Sequence, residues 1–313
     1  MPVDEIQPRF ERVLKLARDL DDAYLREIVI ADATSTWEQS TAIASRTPSR
    51  VTAWAQGQDG LPSDETMDAA WRILAKPLEP PQQAATSLAE DLVSAMQEAL
   101  DYYSLSHWTI EVSENMGARA SVAGRFNKIR VRKDLMLESA DLRRLVIHEI
   151  GGHVLRWENA RAQPEPLLSI PLGSTVATEE GLAVLLEQEM GLIDERQMRI
   201  YAARVIGVAL SVDAGIVDVG RQLAEIVGPE AAAEIALRCK RGLPDPNQAG
   251  GPTKDHGYLT GYLTALGLDP RKLQMLRSVK WSFQRLPEIQ YLAEQQLWVP
   301  PLLDPQAAFA SHR

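Results

Sequence analysis

Residues 145–157, LVIHEIGGHVLRW, decide how this chain is read. The run carries His148 and His153, two of the chain's five histidines, with Glu149 directly after the first. A regular α-helix chelates a metal with histidines four residues apart, because such side chains leave one face a turn from each other. Here the interval is five residues. At about 100° per residue the second ring stands roughly 140° around the axis from the first, too far to share a cation. A turn closed by i→i+5 hydrogen bonds absorbs the additional residue and returns the rings to nearly the angle of an i, i+4 pair. Gly151 and Gly152 lie between the histidines, and in a helix interior each costs about 1 kcal/mol relative to alanine. The pair is therefore read as allowing a local distortion. The alternative is a core helix with Leu142, Leu145, Val146, Ile147, Ile150 and Val154 as its apolar face and the histidines bonded to carbonyls; the spacing alone admits both.

A second stretch, Thr178-Glu179-Glu180-Gly181-Leu182-Ala183, favours the metal reading. Thr178 is a suitable N-cap, and the amphipathic run that follows stops at Gly191, so Glu179 and Glu180 are expected in a helix's first turn. A catalytic zinc site takes three protein ligands and keeps one position open, and two histidines with a glutamate are a standard set. Glu180 is the expected third ligand beside His148 and His153, holding one Zn2+ per chain. A Glu-Glu pair at a helix start also serves the helix dipole.

Together His148-Glu149-Ile150-Gly151-Gly152-His153, Val154-Leu155-Arg156, Glu179-Glu180-Gly181-Leu182-Ala183 and Thr253-Lys254-Asp255 with Tyr258 resemble the tyrosine carboxypeptidase family of zinc metallopeptidases. That group includes microtubule-associated tyrosine carboxypeptidases and bacterial proteins named for a QEGLA motif. The resemblance runs from about Trp108 to Leu266. It implies a HExxxH zincin-like fold of gluzincin type and a metallocarboxypeptidase that hydrolyses the C-terminal peptide bond of a peptide or protein, releasing an aromatic residue such as tyrosine in the animal members. The chain departs from the family pattern in three places: Gly152 stands where threonine is expected, Glu179 replaces glutamine, and Glu158-Asn159-Ala160 stands where Asn-Gly is usual. The second acid leaves open whether Glu179 or Glu180 binds the metal.

In this reading Glu149 is the general base. A carboxypeptidase must also pair its substrate's terminal carboxylate with a cation. Lys254 is the first candidate, with Arg241, Arg238 and Arg119 behind it. Tyr258, four residues after Lys254, is the candidate donor to the oxyanion, and Asp255 is an alternative partner for a ligand histidine. His107, His256 and His312 have no assigned role. Two other readings compete: a zincin-like peptide-binding or regulatory module without turnover, and a zinc endopeptidase or aminopeptidase.

Composition narrows the setting. A net charge of −10 argues against nucleic acid or an anionic membrane surface as partner. Cys239 is the only cysteine, which excludes an internal disulfide and fits a reducing compartment. No signal-peptide core or membrane-length apolar run is present, so a cytoplasmic protein is expected. The predicted fold is α+β and predominantly helical, with a small sheet before the metal helix. Its strands are Trp108–Val112, Ser121–Ala123 and Ile129–Arg132, and Arg130 and Arg132 share one face. Helices are expected over Pro8–Ala31, after Ser63 and from Ala85 to Tyr103. The stretch from Ala31 to Pro62 is less periodic. The proline-rich break at Pro77–Pro81 suggests an N-terminal helical region, 1–80, and a catalytic domain, 81–313. Residues 241–253 read as a long loop.

Overall fold

Helix-forming runs dominate the chain, and capping residues set many of the breaks between them. The computed structural model describes residues 3–45, 47–77 and 86–307. Helices α1 (Val3–Arg18), α2 (Ala23–Ser45), α3 (Pro48–Asp59) and α4 (Asp64–Leu74) come first. Then follow β1 (Ser87–Leu88), α5 (Ala89–Tyr102), β2 (Thr109–Ser113), β3 (Ala120–Ala123), β4 (Lys128–Arg132), β5 (Met136–Leu137) and α6 (Ser139–Val146). A π-helical segment, Ile147–Val154, runs directly into α7 (Leu155–Arg161), and α8 (Val176–Glu189) and α9 (Glu195–Ser211) come next. The remaining helices are α10 (Ile216–Val227), α11 (Pro229–Lys240), α12 (Gly257–Leu266), α13 (Pro270–Arg277) and α14 (Leu286–Glu294). The class is α+β, as expected.

One expectation needs correction. The single helix over Pro8–Ala31 is two, because the Asp22 carboxylate accepts the N–H groups of Tyr24 and Leu25 at 2.8 and 3.1 Å and starts a new helix there. That helix continues to Ser45, and α3 follows it, so the weakly periodic stretch is mostly helical. The apolar residues of α2 are spread around its axis, which hides the helix from a search for a stripe. The start after Ser63 is as read, with Ser63 Oγ accepting the Thr66 N–H at 3.2 Å.

Packing divides the chain into two units that interleave in sequence. The first takes Met1–Lys76, Leu172–Ala177 and Arg199–Thr260; the second takes Pro77–Pro171, Thr178–Met198 and Gly261–Arg313. The break proposed at residue 80 falls, beyond Pro77, among residues 78–85, outside the described residues.

In the second unit, Leu92, Met96 and Leu100 of α5 pack with Ile129 and Val131 of β4 and with Ile150, Val154 and Leu155. The helix bearing the histidines is thus anchored on its apolar side. The larger sheet has the order β2-β4-β3, with β2 parallel and β3 antiparallel to β4. Alternation along β4 turns Ile129 and Val131 inward and leaves Arg130 exposed. The outer face carries ion pairs such as Lys128 with Glu111 at 2.8 Å and Arg132 with Asp134 at 2.9 Å, so the arginine face is a solvated one. Among the described residues no helix is long and apolar enough to cross a membrane.

In the first unit one buried side chain gathers several carbonyls around the long loop after α11. Lys240, 3% exposed, donates from Nζ to the carbonyls of Ser211, Ala214, Gln248 and Gly250 at 2.5–3.0 Å. Removing the ammonium strands several buried acceptors, each worth about 1–3 kcal/mol. Lys240→Met is expected to lower the unfolding free energy by about 3 kcal/mol or more in denaturant titration.

Candidate metal and catalytic site

The five-residue interval is accommodated as the glycines suggested. The Leu155 N–H bonds the Ile150 carbonyl, an i→i+5 bond. His148 and His153 consequently project together, with ring centroids 4.9 Å apart and planes at 76°. Gly152 has a second use: a Cβ on it would lie 2.7 Å from the Ala183 Cβ, so α8 reaches the π segment only because no side chain intervenes. On another side of α8, a Cβ on Gly181 would lie 2.2 Å from the Gly261 carbonyl carbon. These approaches fix the helix that carries the glutamates. It begins at Val176, two residues before the expected cap, and the Thr178 hydroxyl instead accepts the Phe283 N–H at 2.8 Å.

Glu180 Oε2 lies 3.2 Å from His148 Nε2 and 3.8 Å from His153 Nε2. One donor atom from each of these three residues falls within 4.8 Å of the others, a set that could hold a metal ion. Glu149 is buried at 5% exposure; burial raises its carboxyl pKa, with the histidines lowering it and Glu180 and Glu187 raising it again.

The Nδ1 side of each histidine meets a different carboxylate. His148 Nδ1 is 2.6 Å from Glu187 Oε1, and Arg144 Nη1 donates to that oxygen at 3.3 Å while bonding Asp141 through Nε and Nη2. His153 Nδ1 is 3.4 Å from Glu179 Oε2. Glu179 Oε1 is 2.6 Å from Arg156 Nη1 and is also paired with Lys280 Nζ. Burial alone would raise the Glu179 carboxyl pKa, but Arg156 and Lys280 hold it well below the usual range. Burial brings the Lys280 ammonium down to about 8 against the pull of Glu179.

Asp255, the suggested partner of a ligand histidine, is instead bound through both oxygens by Arg238 in the first unit, where ion pairing outweighs its burial and keeps its pKa low. The partners of the histidines are Glu187 and Glu179. Glu187 had a faint signal, since it follows Glu180 by seven residues on one helix face. Arg144 and Lys280 had none. Lys254, Arg241 and Tyr258 also belong to the first unit. Lys254 and Arg241 are exposed, and the Tyr258 ring stacks on Tyr201 at 5.1 Å with the Arg204 guanidinium 4.3 Å from its centroid. Arg119 pairs with Asp141 at 3.3 Å. His107 lies 3.2 Å from Glu158, and His256 lies 2.9 Å from the Asp59 carbonyl; His312 is outside the described residues.

A family model for the microtubule-associated tyrosine carboxypeptidases matches residues 18–312. The chain belongs to that family. It is a family of carboxypeptidases by description, and the match takes in both histidines, all four glutamates of the cluster and both packing units. No curated protein matches the sequence.

Two outcomes are expected. Gly152→Val forces α8 off the π segment and should cost about 1–3 kcal/mol in thermal or chemical unfolding. His148 is lowered by burial but raised more by Glu180 and Glu187, to about 10. Because that lies above its unfolded value of about 6.5, the charged pairs stabilise chelator-treated protein fully below about pH 6.5. The contribution is lost as pH rises through about 10. Denaturant titrations across this window should show falling stability, and His148→Asn should remove the slope.

Proposed function

We propose that the chain is a zinc-dependent metallocarboxypeptidase on a zincin-like scaffold of gluzincin type, removing the C-terminal residue of a peptide or protein. The observation that carries this reading is the convergence of His148, His153 and Glu180 with Glu149 buried beside the first ligand. The donor set suits zinc. Bonds of about 2.0–2.1 Å place tetrahedral donors about 3.3 Å apart, and the observed separations from Glu180 Oε2 are 3.2 and 3.8 Å. The family description, a tyrosine carboxypeptidase associated with microtubules, supports tyrosine as the residue released.

Bound zinc would supply a Lewis acid for the scissile carbonyl and lower the pKa of a water towards about 7. His148, held at Nδ1 by Glu187, keeps its Nε2 directed at Glu180. The Glu149 carboxylate, made more basic by burial, takes a proton from the attacking water and returns it to the leaving amine. β3 is one of the two edge strands of its sheet and packs beside the π segment. An extended peptide can add to that edge by main-chain hydrogen bonds.

Mass spectrometry of synthetic peptides tests the reaction. Peptides with a free carboxyl terminus should lose one terminal residue and their amidated counterparts should not; internal cleavage would overturn the reading. Glu149→Gln should reduce turnover by about 10²–10⁴-fold while zinc content stays unchanged.

A further inference from the structure

Glu179 and Glu180 are adjacent, and both carboxylates approach His153, Glu180 on its Nε2 side and Glu179 on its Nδ1 side. What separates them is the far oxygen of Glu179. It lies between Arg156 and Lys280, and both cations are fixed. Arg156, 2% exposed, also donates from Nε to the Leu276 carbonyl and from Nη2 to the Trp281 carbonyl, each at 2.8 Å. Lys280, also 2% exposed, rests its ammonium 4.8 Å from the Trp157 ring centroid. Two immobilised buried cations require an anion between them, and Glu179 meets both.

We propose that Glu179 is a positioning residue and not a metal ligand: Arg156 and Lys280 hold its carboxylate on the Nδ1 side of His153, so that Glu180 alone completes the donor set. Lys280 and Glu179 then form a coupled pair. A glutamine at position 179 would leave Arg156 and Lys280 without a counter-charge here. The inference rests on the zinc reading above and divides the work of two neighbouring acids within it.

The test compares native protein with Glu179→Gln, Lys280→Met, the double variant and Glu180→Gln. Zinc affinity is measured by competition with a chromophoric chelator, the melting temperature after chelator treatment, and the visible spectrum after cobalt loading. Glu179→Gln should weaken zinc binding by about 10–100-fold, lower the melting temperature and leave the shape of the cobalt spectrum intact. Lys280→Met in that background should restore part of both losses by removing an uncompensated cation, while Lys280→Met alone, which takes away one of the two cations that hold Glu179, should weaken zinc binding by less than Glu179→Gln does. Glu180→Gln should change the cobalt spectrum. If Glu179→Gln does not fold, the double variant should still bind zinc less tightly than Lys280→Met. A cobalt spectrum altered by Glu179→Gln, an unchanged zinc affinity, or strictly additive effects of the two substitutions would overturn the proposal. Native protein that takes up no zinc would overturn the zinc reading itself, whereas a zinc-binding protein indifferent to Glu179→Gln overturns only this assignment.

Discussion

The hydrogen bond from the Leu155 N–H to the Ile150 carbonyl is the constraint on which the site depends. In a regular helix the rings of His148 and His153 would diverge by roughly 140°; with one residue absorbed, their centroids are 4.9 Å apart. The distortion is not isolated from the packing. Gly152 sits within the π segment and at the contact with Ala183, so one missing side chain serves both the backbone and the neighbouring helix. Gly181 repeats the device against Gly261. α8 is thereby seated closely on more than one side, and the position of Glu180 follows from backbone contacts more than from its own side chain.

Around the donors the charges alternate. One chain runs from His148 to Glu187, Arg144 and Asp141; the other runs from His153 to Glu179 and then to Arg156 and Lys280. Most of these groups are removed from water, where an isolated charge is very costly and a paired, hydrogen-bonded one is tolerated. Such networks contribute more to geometry than to net stability. Here they orient each imidazole by its Nδ1 atom, leaving both Nε2 atoms near Glu180. Burial also makes the Glu149 carboxylate more basic.

Local chemistry accounts for what could be read without coordinates. The histidine interval, the glycines between them and the acids opening a second helix are all expressed within one or two turns, so the sequence by itself determined the ligand candidates and the α+β class and marked where a π turn would be needed. Tertiary structure decided which nitrogen faces which carboxylate, that Asp255 belongs to Arg238, and that Arg144, Arg156 and Lys280 supply the counter-charges. Glu187 is 39 residues from His148, and Arg156 bonds a carbonyl 125 residues away. The burial that makes such partners necessary exists only once distant segments have packed together, and no short window of sequence carries it.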